Sequence, residues 1–135
     1  MFELTVEIRF SAAHRICGHP GPCASLHGHN YRALVTVAGS RLNELGMLVD
    51  FGELKQVCAE VIAPLDHSYL NEVEEFGETN PTAEAIARHI YRRLLAQIGR
   101  AGGGELCLLQ VTVFESERSS ATYRPSATEP PPATS

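Results

Sequence analysis

No stretch of this chain stays apolar for the roughly 20 residues that crossing a bilayer requires, so no membrane partner is expected. The opening MFELTVEIRF alternates apolar residues with charges and lacks the basic stretch, apolar block and small-residue cleavage site of a secretory signal, which makes the cytoplasm the expected compartment. Positive charge is also in short supply: 11 Lys and Arg stand against 16 Asp and Glu, for a net charge of −5. These cations are scattered rather than gathered in a stripe with interleaved aromatics, so nucleic acid is not an expected partner. A small anionic ligand stays compatible with this charge, because local fields can oppose the net one. There is no Gly-rich nucleotide fingerprint and no internal repeat. Four cysteines, Cys17, Cys23, Cys58 and Cys107, in a chain without a secretory signal read as thiols rather than disulfides.

What is present has the size and composition of one globular domain, with 135 residues, 44% hydrophobic and 20% charged. Phe2, Leu4, Val6, Ile8, Phe10 and Ala12 alternate with polar residues, as on a half-buried strand. Residues 13–28 are rich in Gly, Pro, His and Cys, after which Tyr31, Ala33, Val35 and Val37 resume the alternation, so a loop joins two antiparallel strands. Phe51, Leu54, Val57, Cys58, Val61 and Ile62 recur every three to four residues, which predicts a helix from Asp50 to Pro64. Ile86, Ile90, Leu94 and Ile98 predict a second helix, with Asn80 as its cap, Pro81 in its first turn and Gly99 and the glycines at 102–104 at its end. Cys107, Leu109, Val111 and Val113 predict another strand, with a short one over 120–124. The order is ββααββ, an α+β domain over 1–125. The Pro-rich tail, 126–135, has too little apolar area to offset its ordering entropy and is expected to be disordered.

Histidine placement carries the chemistry. His14 continues the apolar phase of the first strand, while His27 and His29 share parity with Tyr31 and Val35 on the second. Three imidazoles turned to one face are costly to desolvate unless a cation pairs with them, and three histidines with an open fourth position suit catalytic zinc. Imidazole also suits other transition ions. His19 in the Gly-Pro turn and His89 off the apolar stripe read as surface residues.

Cys23 precedes His27 by four residues, so its sulfur falls near such a metal, either as a base or nucleophile favoured by the cation, as a fourth structural ligand, or as a spectator. Cys58 and Cys107 fall on apolar faces and read as packing residues. Asp66 and His67 form a carboxylate–imidazole pair of the kind found in proton relays, or an ordinary loop cap. Glu115 ends the apolar row of Val111 and Val113 with a carboxylate, whose bidentate acceptor geometry matches a ring presenting N–H and amino groups side by side. Otherwise it is an exposed strand-end residue.

Taken together, F-S-A-A-H-R (10–15), C-x3-H-G-H-N-Y (23–31), L-V-D-F (48–51), L-D-H (65–67), N-P-T-x-E (80–84) and V-x-V-x-E (111–115) resemble the 6-pyruvoyl-tetrahydropterin synthase family over residues 2–125. The short Cys23-to-His27 spacing is most similar to its bacterial, 6-carboxy-tetrahydropterin-forming branch in the queuosine pathway. The absence of Glu from Ala24-Ser25-Leu26 is unlike the variant that cleaves dihydroneopterin. The resemblance implies the tunnelling fold, a four-stranded antiparallel sheet with two helices on one face, assembled through trimers into a homohexamer. It implies Zn2+ on His14, His27 and His29, Cys23 as catalytic base, Asp66 and His67 as its relay, and Glu115 with Thr82 on the pterin. The implied reaction takes 7,8-dihydroneopterin triphosphate to 6-carboxy-5,6,7,8-tetrahydropterin with release of acetaldehyde and triphosphate, without a nicotinamide. The alternatives are triphosphate elimination to 6-pyruvoyl-tetrahydropterin, or a non-catalytic, zinc-stabilised pterin-binding oligomer. Ser116, where Thr is usual, and Ser119-Ser120 depart from the family pattern.

Overall fold

The computed structural model describes residues 1–102 and 105–126; the glycines at 103–104 and the tail expected to be disordered lie, from 127 onward, outside the described residues. Strand β1 (Phe2–His14) pairs antiparallel with β2 (His27–Gly39) in an unbroken register that sets Val6 opposite Val35, Ala12 opposite His29 and His14 opposite His27. The alternation read from the sequence is realised: Val6, Phe10 and Ala12 on β1 and Tyr31, Ala33, Val35 and Val37 on β2 are buried.

Helix α1 (Phe51–Ile62) starts at Asp50, whose carboxylate accepts from the N–H groups of Gly52 at 2.7 Å and Glu53 at 3.3 Å and so satisfies two of the unpaired donors of the first turn. Leu54, Val57, Cys58 and Ile62 form its buried stripe, while Phe51 stands at the helix start and stays half exposed rather than joining the core. Burial pushes the Cys58 thiol up to about 12, so it packs as a small apolar group. Helix α2 (Ala83–Leu95) buries Ile86, Ile90 and Leu94, followed by Ile98 in a short 3-10 turn. Its cap is Thr82, whose hydroxyl accepts from the Ala85 N–H at 3.1 Å, and not Asn80. The Asn80 amide bonds the Cys17 backbone instead.

Helices α1 and α2 pack on one face of the sheet, α1 over β1 and α2 over β4 (Cys107–Phe114) and β5 (Ser120–Tyr123). Strand β4 pairs with β2 and β5 with β4, both antiparallel. The sheet departs from the expected four antiparallel strands. The sheet is five-stranded and mixed, in the order β3-β1-β2-β4-β5, because the two-residue strand β3 (Ser68–Tyr69) runs parallel to the end of β1, opposite Ala12 and Ala13. Two residues are too few to show a period, but they dock the Asp66-His67 segment beside β1.

Strand β4 also departs from the expected phase. Thr36 faces Gln110 but Val37 faces Leu108, so Leu109 is the extra residue of a β-bulge. Beyond it the faces exchange: Leu108 is buried, and Cys107, expected inside, is exposed.

His89 is not a surface residue either. It is half-buried, with its ring 5.0 Å from that of Phe76. Burial lowers its pKa below the usual 6.5, opposed by the nearby Glu75 carboxylate and reinforced by Arg93. A histidine kept neutral on folding contributes stability above its unfolded pKa, and that contribution is lost as pH falls through the lower folded value. Thermal melts of His89→Leu are therefore expected to lose less stability than the wild type between about pH 7.5 and about pH 5.5.

Candidate metal centre and active site

The paired ends of β1 and β2 bring three imidazoles together, with ring centroids of His14 and His27 at 4.6 Å, His14 and His29 at 5.1 Å, and His27 and His29 at 4.9 Å. A fourth group joins from the residue after β4. Among the described residues, one ligand atom from each of His14, His27, His29 and Glu115 lies within 4.8 Å of all the others. Cys23 is not a member of this group, so the carboxylate, and not the thiol, stands where a fourth ligand would.

The surrounding backbone sets the tautomers. His14 Nδ1 lies 2.7 Å from the Pro81 carbonyl oxygen and His27 Nδ1 lies 2.7 Å from that of Ser25, so each Nδ1–H donates to a carbonyl and each Nε2 keeps its lone pair. A carbonyl behind the imidazole is the usual arrangement that orients a metal-bound histidine. Nε2 of His14 then faces Glu115 Oε1 at 3.2 Å, two acceptors against each other, a contact that a proton or a metal ion between them would relieve. His29 Nε2 is buried without a hydrogen-bond partner; Glu115 Oε1 is 3.4 Å away but is not aligned to bond it. Burial, with the neighbouring imidazoles, lowers the pKa of His29 against the pull of Glu115, favouring the neutral form that binds metal. A proton would serve one of these nitrogens, whereas a metal ion would serve all of them. The residues fit a metal ion.

Tyr31 stands below the cluster, fully buried, with its hydroxyl 3.3 Å from His14 Nδ1, and burial drives its pKa well above the usual value so that it stays a neutral phenol. The loop carrying Cys23 is pinned by two asparagine amides. Asn71 accepts from the Arg15 N–H at 2.9 Å and donates to the Arg15 carbonyl at 3.0 Å. Asn80 does the same for Cys17, at 2.9 and 3.0 Å. The Ile16 N–H donates to the Cys23 carbonyl at 2.7 Å, and Cys23 itself sits half-buried in a 3-10 turn, Pro22–Ala24. The Asn-Pro-Thr motif thus has three tasks: Asn80 holds the Cys17 backbone, Pro81 orients His14, and Thr82 caps α2. Asn80→Ala is expected to cost about 1–3 kcal/mol through its two lost bonds, read as a lower melting temperature. None of these supports was legible in the sequence, because two are backbone carbonyls and the others are amides that act across the fold.

Asp66 and His67 are held against β1. Asp66 Oδ1 accepts from the Ser11 N–H at 2.9 Å, and the His67 N–H donates to the Ser11 carbonyl at 2.6 Å. His67 has φ +56, a left-handed backbone that a non-glycine residue holds only where its surroundings impose it. Its Nε2 is 3.5 Å from Asp66 Oδ2 and its ring is 83% exposed. That ring borders two openings on the surface. One groove of about 770 Å³ also takes in Arg9, Arg32, Asp66 and Ser116. The other, of about 440 Å³, runs past His29 and Asn30. Arg9 and Arg32 are both engaged by Glu7, at 3.1 and 2.8 Å, and Arg32 lies 4.2 Å above the Phe114 ring. Sequence reasoning did not single out either arginine, since only strand register places them beside His67.

A sheet covered on one face by two helices, with three histidines and a carboxylate converging at its strand ends, is the architecture of a tunnelling-fold protein whose clustered side chains could hold a metal ion. The chain belongs to the 6-pyruvoyl tetrahydropterin synthase family, whose model matches residues 3–126. It is 37% identical to a Bacillus subtilis protein named 6-carboxy-5,6,7,8-tetrahydropterin synthase, over 92% of this chain and 86% of that protein. A Synechocystis protein of the same name is 39% identical over 91% of this chain and 93% of its own length. Among solved structures, the 6-pyruvoyl tetrahydropterin synthase of Caenorhabditis elegans superposes with a TM-score of 0.76 at 30% identity, covering 93% of this chain and 98% of that one.

Proposed function

We propose that this chain is a lyase that converts 7,8-dihydroneopterin triphosphate and one water to 6-carboxy-5,6,7,8-tetrahydropterin, releasing acetaldehyde and triphosphate, in queuosine precursor synthesis. The observation that carries the reading is the cluster of His14, His27 and His29, two of them oriented by backbone carbonyls, in a chain whose curated relatives bear the 6-carboxy-tetrahydropterin synthase name. Zinc is the ion proposed, because three neutral imidazoles with an exchangeable fourth position suit it. Bound there, it would polarise the substrate's side-chain oxygens and acidify the adjoining C–H and O–H groups.

The protein's own residues do the rest. Cys23, held half-buried by the pinned loop, takes a proton as thiolate. His67 returns one, with Asp66 Oδ2 3.5 Å from its Nε2 to orient the ring. Glu115 offers its paired oxygens to the N–H and amino groups of the pterin ring, and Thr82 borders the same substrate. A homo-oligomer built from trimers, and a cytoplasmic setting, complete the proposal; among the described residues no helix is long and apolar enough to cross a membrane.

A second reading is favoured by the similarity to the Caenorhabditis elegans protein: triphosphate elimination to 6-pyruvoyl-tetrahydropterin. Acetaldehyde separates the two, since only carboxy formation releases it. Zinc-loaded protein with the triphosphate substrate is expected to release acetaldehyde in step with substrate consumed, to stop after chelation and to resume when zinc is restored. Substrate loss without acetaldehyde would favour the second reading.

A further inference from the structure

The carboxylate of Glu115 faces two kinds of partner. By its acceptor geometry it suits a pterin ring, yet its Oε1 lies 3.2 Å from His14 Nε2 and 3.4 Å from His29 Nε2. Ligand atoms at the corners of a tetrahedron, each about 2.0–2.1 Å from a central zinc ion, are separated by about 3.3–3.4 Å. Toward His14 and His29 the carboxylate oxygen therefore has the spacing of a fourth ligand, within a group whose four ligand atoms all lie inside 4.8 Å of one another. It is also open to solvent, and so to an arriving ligand: the side chain is 34% exposed, whereas that of His14 is 1% exposed and bonded to Pro81. No other described His, Cys, Asp or Glu joins this group.

We propose that Glu115 is an exchangeable ligand, closing the fourth metal position while no pterin is bound and surrendering it when the ring's N–H and amino groups claim the carboxylate. Four protein ligands make a closed site of the structural kind, and three with a vacancy make a catalytic one. One carboxylate that serves either the metal or the pterin couples the two, so the reactive position opens when the correct ring arrives. Between turnovers the centre stays shielded from other anions and from loss of metal. The proposal rests on the pterin reading above.

The test uses the full chain loaded with Co2+, whose visible absorption reports the ligand set, and 7,8-dihydropterin without a C6 side chain, which can occupy the ring site with no side-chain oxygens to offer the metal. Wild type and Glu115→Gln are expected to differ in their ligand-free spectra. The variant should bind Co2+ and Zn2+ more weakly by at least the roughly 10-fold that losing even an outer-shell partner costs. Adding dihydropterin to the wild type is expected to move its spectrum toward that of the ligand-free variant. Glu115→Asp, which keeps the charge but shortens the reach, should give the same ligand-free change as Gln and stands in if Gln impairs folding.

Identical ligand-free spectra and metal affinities for wild type and both variants would overturn the ligand role. Pterin binding, followed by its own fluorescence, with an unmoved cobalt spectrum would overturn the exchange. Failure of the wild type to bind the pterin at all would remove the exchange together with the pterin reading, while the ligand-free comparison would still decide whether Glu115 holds the metal.

Discussion

His14→Ala is expected to abolish tight metal binding and to lower stability even when no metal is present. As a proposed ligand, His14 should cost far more than the roughly 10–100-fold that an outer-shell partner contributes. The stability effect has a separate origin. His14 is 1% exposed, its Nδ1 is bonded to the Pro81 carbonyl and its ring lies beside the Tyr31 hydroxyl. Truncation leaves a cavity and deprives buried polar groups of their partner, at about 1–3 kcal/mol for each group left unsatisfied. His27→Ala separates the two effects, because His27 is only partly buried and its Nδ1 bonds the exposed Ser25 carbonyl. In chelator, His27→Ala should melt close to the wild type and His14→Ala several degrees lower. Both should fail to retain stoichiometric zinc on elemental analysis. A His14→Ala protein that keeps its zinc would remove this residue from the centre.

Cys23→Ala is expected to retain zinc and the wild-type melting temperature while losing turnover by about 10²–10⁴-fold, the range for removal of a general base. The thiol lies outside the four-residue ligand group, and it rides on a loop whose backbone is fixed by Asn71, Asn80 and the Ile16 to Cys23 hydrogen bond. Deleting its sulfur therefore disturbs neither the metal shell nor the loop supports. Paired measurements of metal content and kcat decide the matter. Parallel loss of zinc, stability and activity would instead make Cys23 a structural ligand, as in the non-catalytic alternative.

The parts of the fold legible in the sequence were those with a period. Alternation gave β1 and β2 their faces, and the three-to-four spacing gave both helices, because in each case one side is buried against a continuous core. His14, His27 and His29 were legible for the same reason: strand parity alone sends them to one face, and the antiparallel register then sets His14 opposite His27. What escaped lacks a period or acts across the chain. Strand β3 has two residues, and the bulge at Leu109 reverses the β4 phase and sends Cys107 outward. Asn80 has the side chain of a helix cap but bonds Cys17 instead, leaving the cap to Thr82. Glu115 was expected on the pterin, and its closeness to the imidazoles depends on how far one flexible side chain reaches, which no spacing rule encodes.

The most direct test of the central claim is the mass spectrum of the pterin formed when zinc-loaded protein is incubated with 7,8-dihydroneopterin triphosphate. The expected result is the mass of 6-carboxy-5,6,7,8-tetrahydropterin, accompanied by one acetaldehyde for each pterin. The mass of 6-pyruvoyl-tetrahydropterin, or unchanged substrate with a folded and metal-replete protein, would contradict it.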